Sequence, residues 1–135
     1  MDLVEQLVRD EGIRLTPYTD TRGFLTIGVG RSLTTNGISV DEAKYLLNAD
    51  INRVNAQLTQ FAWFNNLDPV RQGAITNVAF NIGVHGLLHF VNAISALARQ
   101  DWNTAAQELL NSSWAQQVGA RAQRLADQVR TGAWV

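Results

Sequence analysis

The chain contains no cysteine. That excludes a disulfide scaffold, a thiolate metal centre and a cysteine nucleophile, and it leaves the redox compartment open. An excess of one charge is missing too: 11 Lys and Arg stand against 12 Asp and Glu, a net charge of −1. No global basic field therefore draws the protein to nucleic acid or anionic surfaces. The longest apolar stretches fall far short of a bilayer span, so no stable membrane insertion is expected. Asp2 and Glu5 occupy the place of a cationic leader segment, and the expectation is a protein made and kept in the cytoplasm. Repeats, linkers and low-complexity tracts are also absent.

What is present is ordinary globular material. With 135 residues, 46% hydrophobic and 17% charged, the chain fits one domain, or one core with a small lobe attached. Asp2, with Glu5 three residues on, predicts a capped helix over residues 2–11, and Leu3, Val4, Leu7 and Val8 give it one apolar stripe. Residues 14–34 predict a small antiparallel sheet turning at Asp20-Thr21-Arg22-Gly23, with 24–27 as its second strand and 31–34 as a third. Ser39 and Glu42 form a second capping box, opening a helix to about residue 59 whose apolar face is Ala43, Leu46, Leu47, Ile51, Val54 and Leu58. A helix of that length suits a spine between two lobes, with a ligand cleft where the lobes meet.

Beyond residue 60 the pattern is helical throughout. Phe61, Trp63 and Phe64 mark a connecting segment. Asp68 and Pro69 start a central helix running through Ala74, Ile75, Val78 and Ala79 to Gly83. A short turn or helix is predicted at 84–88 and another at 90–98, then helices at 102–110 and 114–117 and a last one at 120–130. The fold class expected is α+β, mostly helical.

The stretch Glu11 to Gly30, EGIRLTPYTDTRGFLTIGVG, carries the chemistry. Glu11 stands where the first helix ends at Gly12, at the negative end of the helix dipole, which disfavours a carboxylate. Asp20 lies in a polar turn, where backbone N–H groups favour the charge. Two carboxyl groups in unlike surroundings are the minimum equipment for glycoside hydrolysis: one protonates the leaving oxygen, the other activates water or stabilises the cationic sugar. Thr26 adds a hydroxyl able to hold that water.

Asp10-Glu11-Gly12, Tyr18-Thr19-Asp20, Gly23 and Thr26-Ile27-Gly28-Val29-Gly30 resemble the catalytic segment of the phage-type lysozymes, or endolysins. In that family a glutamate, eight residues, an aspartate, five residues and a threonine follow in order, as here. The likeness continues through Asp41-Glu42-Ala43, Leu67-Asp68, Phe80, Phe90, Trp102, Trp114, Arg121, Arg124, Arg130-Thr131-Gly132 and Trp134. It implies a lysozyme-like fold in one domain spanning 1–135: a first helix (1–11) packing with the helical lobe, a small β lobe (12–38), a connecting helix (39–59) and a helical lobe (60–135). It also implies hydrolysis, with inversion, of the β-1,4 bond between N-acetylmuramic acid and N-acetylglucosamine. Glu11 is then the general acid, and Asp20 and Thr26 position water.

The resemblance further implies Ser32, Phe80 and Asn81 as substrate contacts, Arg121 facing Glu11, and Arg124 within reach of Asp10. It implies no metal and no organic cofactor. The expected partner is bacterial peptidoglycan, reached by a monomer from the host cytoplasm once a membrane-permeabilising protein (a holin) opens the way to the periplasm and wall. A lytic transglycosylase cleaves the same bond without water, and the presence of Asp20 and Thr26 argues against it. A non-catalytic wall-binding relative is the other alternative, opposed by the intact acid set.

Two departures from the family stand out. The residue after Gly30 is usually histidine and here is Arg31, which stays charged across the neutral range. The segment after Thr34 is short, so the β lobe is reduced. Among other candidates, His85 and His89 lie four apart but lack a third ligand and a neighbouring acid, and Gly86 between them is expected to interrupt the helix. Trp102, Trp114 and Trp134 are expected in the core.

Overall fold

Asp2 caps α1 (Leu3–Glu11) reciprocally: its carboxylate accepts the Glu5 N–H while the Glu5 carboxylate accepts the Asp2 N–H. Two orphan donors of the first turn are thereby satisfied. The helix stops at Gly12, whose φ of 77° no L side chain adopts comfortably. A three-stranded antiparallel sheet follows in the order β1 (Arg14–Thr19), β2 (Leu25–Gly28) and β3 (Arg31–Ser32). Arg14 pairs with Gly28 and Tyr18 with Thr26, and the register shifts between them. That segment contains Pro17, which has no N–H to give the ladder and sits, as proline must, on an edge strand. The third strand is shorter than expected and ends at Ser32, because the next residues turn back, with Asn36 N–H donating to Ser32 O and Gly37 N–H to Leu33 O.

The computed structural model describes all 135 residues and divides into two compact units, 1–46 and 47–135. The boundary falls inside α2 (Val40–Leu58). All the buried hydrophobic residues belong to the second unit, from Leu58 to Val129. The first unit buries only Thr26 and rests on hydrogen bonds and capping.

In the second unit α3 (Ala62–Asn65) makes one turn. Asp68 then caps α4 (Pro69–Leu87) by accepting the Arg71 N–H, with Pro69 at the first position. Ala74, Ile75, Val78 and Ala79 turn one face of α4 into the core. α5 (Val91–Ala98), α6 (Trp102–Leu110), α7 (Ser113–Val118) and α8 (Ala120–Thr131) close around that face, presenting Leu97, Leu109, Trp114, Leu125 and Val129 among others. Gly83 breaks the helix, with φ 81° and ψ 157°, while Gly86 lies inside the helical turn that follows. The break thus falls at Gly83, where the central helix was expected to end, and the further interruption expected at Gly86 is absent, since a glycine without positive φ is only a weak helix former and not a breaker.

Arg71 fastens the two ends of this unit together. Its Nε donates to Val129 O at 2.7 Å, one Nη to Arg130 O and the other to Asp68 at 3.0 Å, and its plane lies 4.0 Å from the centre of the Trp102 ring. The last-turn carbonyls of α8, which no intrahelical N–H can reach, are thus satisfied by a cation that also suits the helix dipole. Trp102 is accordingly half-buried against Arg71 and Trp114 is buried, whereas Trp134 is 69% exposed and lies over Gly73. Trp134 is not a core residue as expected: it follows the end of α8 at Gly132, where the chain leaves the helical packing. Arg71→Ala should lower unfolding free energy by about 2–3 kcal/mol, from lost charge-assisted hydrogen bonds and ring stacking. Arg71→Lys should recover only part of it, because an ammonium cannot fork. Urea unfolding of the three proteins decides; equal midpoints would remove Arg71 from this role.

Candidate active site

The hairpin turn fixes Asp20 before any ligand arrives. Its Oδ1 accepts the N–H of Arg22 at 2.8 Å and of Phe24 at 2.9 Å, and its own N–H donates to Phe24 O. One carboxylate oxygen is thus committed to the turn, and Oδ2 has no partner among the hydrogen bonds of this unit. Thr26 is 3% exposed, and its Oγ1 donates to Phe24 O at 3.0 Å. Asp20 and Thr26 therefore grip one residue, Phe24, by its N–H and its carbonyl. Donating its proton to Phe24 leaves the threonine oxygen with acceptor capacity for a water.

Glu11 reaches the same hairpin from the helix side. A Cβ built on Gly30 would stand 3.3 Å from Glu11 Oε2, and Gly30 has φ +68°. Glycine is needed there twice over, for its backbone conformation and for the space the carboxyl occupies. Glu11 is exposed and, within this unit, accepts no hydrogen bond. Ser32 lies on β3 directly opposite Thr26, which in turn lies opposite Tyr18 on β1. Directly opposed residues project on one face, so Tyr18, Thr26 and Ser32 form a row across the sheet. The Ser32 hydroxyl accepts the Thr35 N–H at 3.2 Å and keeps its own proton to donate.

Arg31, opposite Ile27 on the other face of the sheet, forks onto Glu42 in the first turn of α2, at 3.0 and 2.7 Å. It also donates to Gly37 O, and the Ser39 N–H donates to Glu42 Oε1 at 2.9 Å. The Arg31 hydrogen bond above all, then the Ser39 N–H, holds the Glu42 carboxyl down at about 2, against an ordinary 4.5. Glu42 in turn raises Arg31 above its already high value.

The second unit presents the remaining candidates on one face of α4. Phe80 is 44% exposed. The Asn81 amide oxygen accepts the Trp114 indole N–H at 2.9 Å, which orients the side chain and leaves its NH2 to donate outward. Arg121 donates from Nε and Nη2 to Asn77 Oδ1 at 3.0 and 2.7 Å. Asn77, Phe80 and Arg121 line one pocket of about 550 Å³, walled also by Ile51, Phe64 and Trp134.

The family description "Phage lysozyme" matches residues 8–130. The chain belongs to the phage lysozyme family. Probable T4-type lysozyme 2 of Dictyostelium discoideum is 29% identical across 96% of this chain and 94% of its own length. The endolysin of Salmonella phage P22 is 32% identical over 59% of this chain and 60% of its own. The pre-baseplate central spike protein Gp5 of Enterobacteria phage T4 is 31% identical over 98% of this chain, which spans only 28% of that protein. The fold is accordingly the lysozyme-like α+β arrangement of a small sheet and a set of helices.

Within this lysozyme-family chain the structure brings Glu11, Asp20, Thr26 and Ser32 onto one unit, and Phe80, Asn81 and Arg121 onto the other. Within the first unit Asp10 bonds its neighbour Arg9 at 2.8 Å. His85 and His89 stand edge to face, ring centres 5.0 Å apart, on the exposed turn after Gly83. Sequence reasoning missed Asn77 as the holder of Arg121. Its spacing of three and four from Phe80 and Asn81 puts all three on one helical face, and that signal was available. It also missed the close approach of Glu11 to Gly30, for which no local pattern exists.

The Arg31–Glu42 fork generates a pH prediction. The Glu42 value is depressed on folding, so its stabilisation is complete above about pH 4.5 and is lost as pH falls through about 2. The wild type should therefore show no pH dependence from this pair between about 5 and 8. In Arg31→His the imidazole, raised by Glu42, stabilises fully below about 6.5 and loses that contribution as pH rises through its folded value. Thermal midpoints across pH 5 to 8 should fall with rising pH in the variant relative to wild type; parallel curves would refute the pairing.

Proposed function

We propose that this phage-lysozyme-family protein is a muramidase that hydrolyses the β-1,4 bond between N-acetylmuramic acid and N-acetylglucosamine in peptidoglycan. Family membership supports the coarser class, a lysozyme-type glycosidase. The observation that carries the finer reading is the double grip on Phe24: it anchors the Asp20 carboxylate through Oδ1, leaving Oδ2 free, and sets the Thr26 hydroxyl on the same short turn. Oδ2 and the Thr26 oxygen then need no reorganisation to hold a water.

In this reading Glu11 is the general acid. It lies free of hydrogen bonds within its unit, at the negative end of α1, and protonates the glycosidic oxygen as the bond breaks. Asp20, through its unpartnered Oδ2, takes the proton of the attacking water and opposes the positive charge that builds on the sugar ring. Thr26 accepts the water's other hydrogen. A water held on the face opposite the leaving group gives inversion, which requires carboxyl groups about 6.5–9.5 Å apart. Ser32, beside Thr26, offers a hydroxyl to the sugar. On the helical unit Phe80 offers a stacking face, and Asn81 an amide N–H for an N-acetyl carbonyl.

The protein acts in this scheme as a monomer on the bacterial wall and lyses the host cell. It waits in the host cytoplasm until a holin-type partner breaches the membrane; no single helix is long and apolar enough to cross one.

Glu11→Gln should fold with an unchanged midpoint and lose about 10²–10⁴-fold in reducing-end release from purified peptidoglycan, because the amide keeps the shape and has no acidic proton. Mass spectrometry of wild-type products should show hydrated muramic acid ends. Near-normal turnover by Glu11→Gln, or anhydro-muramic ends, would sink the assignment.

A further inference from the structure

The chain has two histidines, His85 and His89, and they are the only ionisable side chains between Arg71 and Arg99. The chemistry proposed above uses neither. Both are exposed, and their rings stand edge to face with centres 5.0 Å apart. The turn that carries them is anchored. Leu87, between them, is buried in the apolar core, and the Ile82 side chain packs over Gly86. The Leu88 N–H donates to Val84 O at 3.0 Å, the His89 N–H to Gly86 O at 3.2 Å and the Phe90 N–H to Leu87 O at 2.9 Å. The helical turn thus continues past Gly86, and the two imidazoles meet as side chains four apart on a helix do.

Their spacing is that of two imidazoles sharing one ion. A metal about 2.0–2.1 Å from one nitrogen of each ring lies about 3.2 Å from each ring centre. Neighbouring ligands then put the ring centres about 4.5 Å apart in a square-planar arrangement and about 5.2 Å apart in a tetrahedral one. The observed 5.0 Å falls between these values. Turning each ring about χ2, a soft torsion, points its nitrogens at the ion and leaves its centre in place. No third histidine or carboxylate converges on the pair, so the protein supplies two ligands and water supplies the others. Imidazole nitrogen favours Cu2+, Ni2+ and Zn2+ over the oxygen-seeking Mg2+ and Ca2+, and affinity peaks at Cu2+. The surroundings suit a cation. The segment between Arg71 and Arg99 carries no lysine or arginine, and the pair lies at the C-terminal end of α4, where the helix dipole is negative.

We propose that His85 and His89 form a two-ligand site for a late first-row divalent metal ion, Cu2+ ahead of Ni2+ and Zn2+, with water in the remaining positions. The ion bridges the two ends of the single turn that follows the Gly83 break, and so adds a second closure to it. Because the folded turn presents both rings together, the ion binds the folded chain in preference to the unfolded one and stabilises it.

The test uses the full chain, without a purification tag, and the metal ions alone. Calorimetry with Cu2+ should give one ion per chain. With Zn2+, the ring C–H resonances of both histidines should move together and saturate at one equivalent. Either ion should raise the thermal midpoint, and Mg2+ at the same concentration should leave it unchanged. His85→Ala and His89→Ala should each weaken binding by about 10²-fold, because the second ligand closes onto the ion as an intramolecular event. Each should also abolish the rise in midpoint. Both rings are exposed, so the two variants should match the wild-type midpoint in metal-free buffer, which separates loss of the site from loss of the fold. No binding by the wild type, movement of only one histidine, or binding that survives either substitution would overturn the proposal. The titration reads this site whether or not the chain digests wall.

Discussion

The first unit has almost nothing to hide from water, so its shape depends on one polar clamp, the fork of Arg31 onto Glu42. A 46-residue unit without buried hydrophobic side chains has no hydrophobic collapse to position a three-stranded sheet. Here β3 is tied to the start of α2 by two parallel charge-assisted bonds. The same guanidinium takes the Gly37 carbonyl, and the same carboxylate closes the Ser39 capping box. One ion pair thus stitches strand, loop and helix. An exposed pair is ordinarily worth little. This one gains from bidentate geometry and from sharing its carboxylate with a helix cap, so the groups are already ordered when they meet.

The helical unit is organised the opposite way. Its order comes from a contiguous apolar core, with polar side chains such as Arg71 and Asp68 clasping its ends. α4 shows how: Ala74, Ile75, Val78 and Ala79 face inward, while Asn77, Phe80 and Asn81 line the other side. Small and branched residues on the inner face let neighbouring helices approach closely and hold the axis, and the outer face inherits that rigidity. Trp114 links the two roles. Its ring is buried in the core, and its single N–H is spent on Asn81.

Local chemistry was the legible part of this sequence. The Asp2, Ser39, Asp68 and Asp101 caps, the Asp20–Gly23 turn and the helical periods all depend on residues within four positions of one another. The family motif singled out Glu11, Asp20 and Thr26 as a set, and all three lie on one unit. Trp134 was illegible because an apolar ring does not say whether the helix carrying it has already ended. Gly86 was misjudged for a similar reason: it and Gly83 are both glycines in a helical stretch, and only the backbone conformation separates breaker from passenger. The Arg71 clasp on Val129 and Arg130 joins residues almost sixty apart and leaves no periodic trace.

Charge pairing across the chain carries the argument one step further. In the first unit Asp2, Glu5, Asp10, Asp20 and Glu42 are all spent on caps, turns or arginines, leaving Glu11 and Asp41. Asp41 needs no partner, because it lies in the first turn of α2, where the dipole favours a negative charge. Glu11 lies at the opposite end of its own helix, and no donor in its unit reaches it. Most carboxylates of the chain thus serve the fold, whereas Glu11, lying in the space that Gly30 leaves open, has no such pairing within its unit.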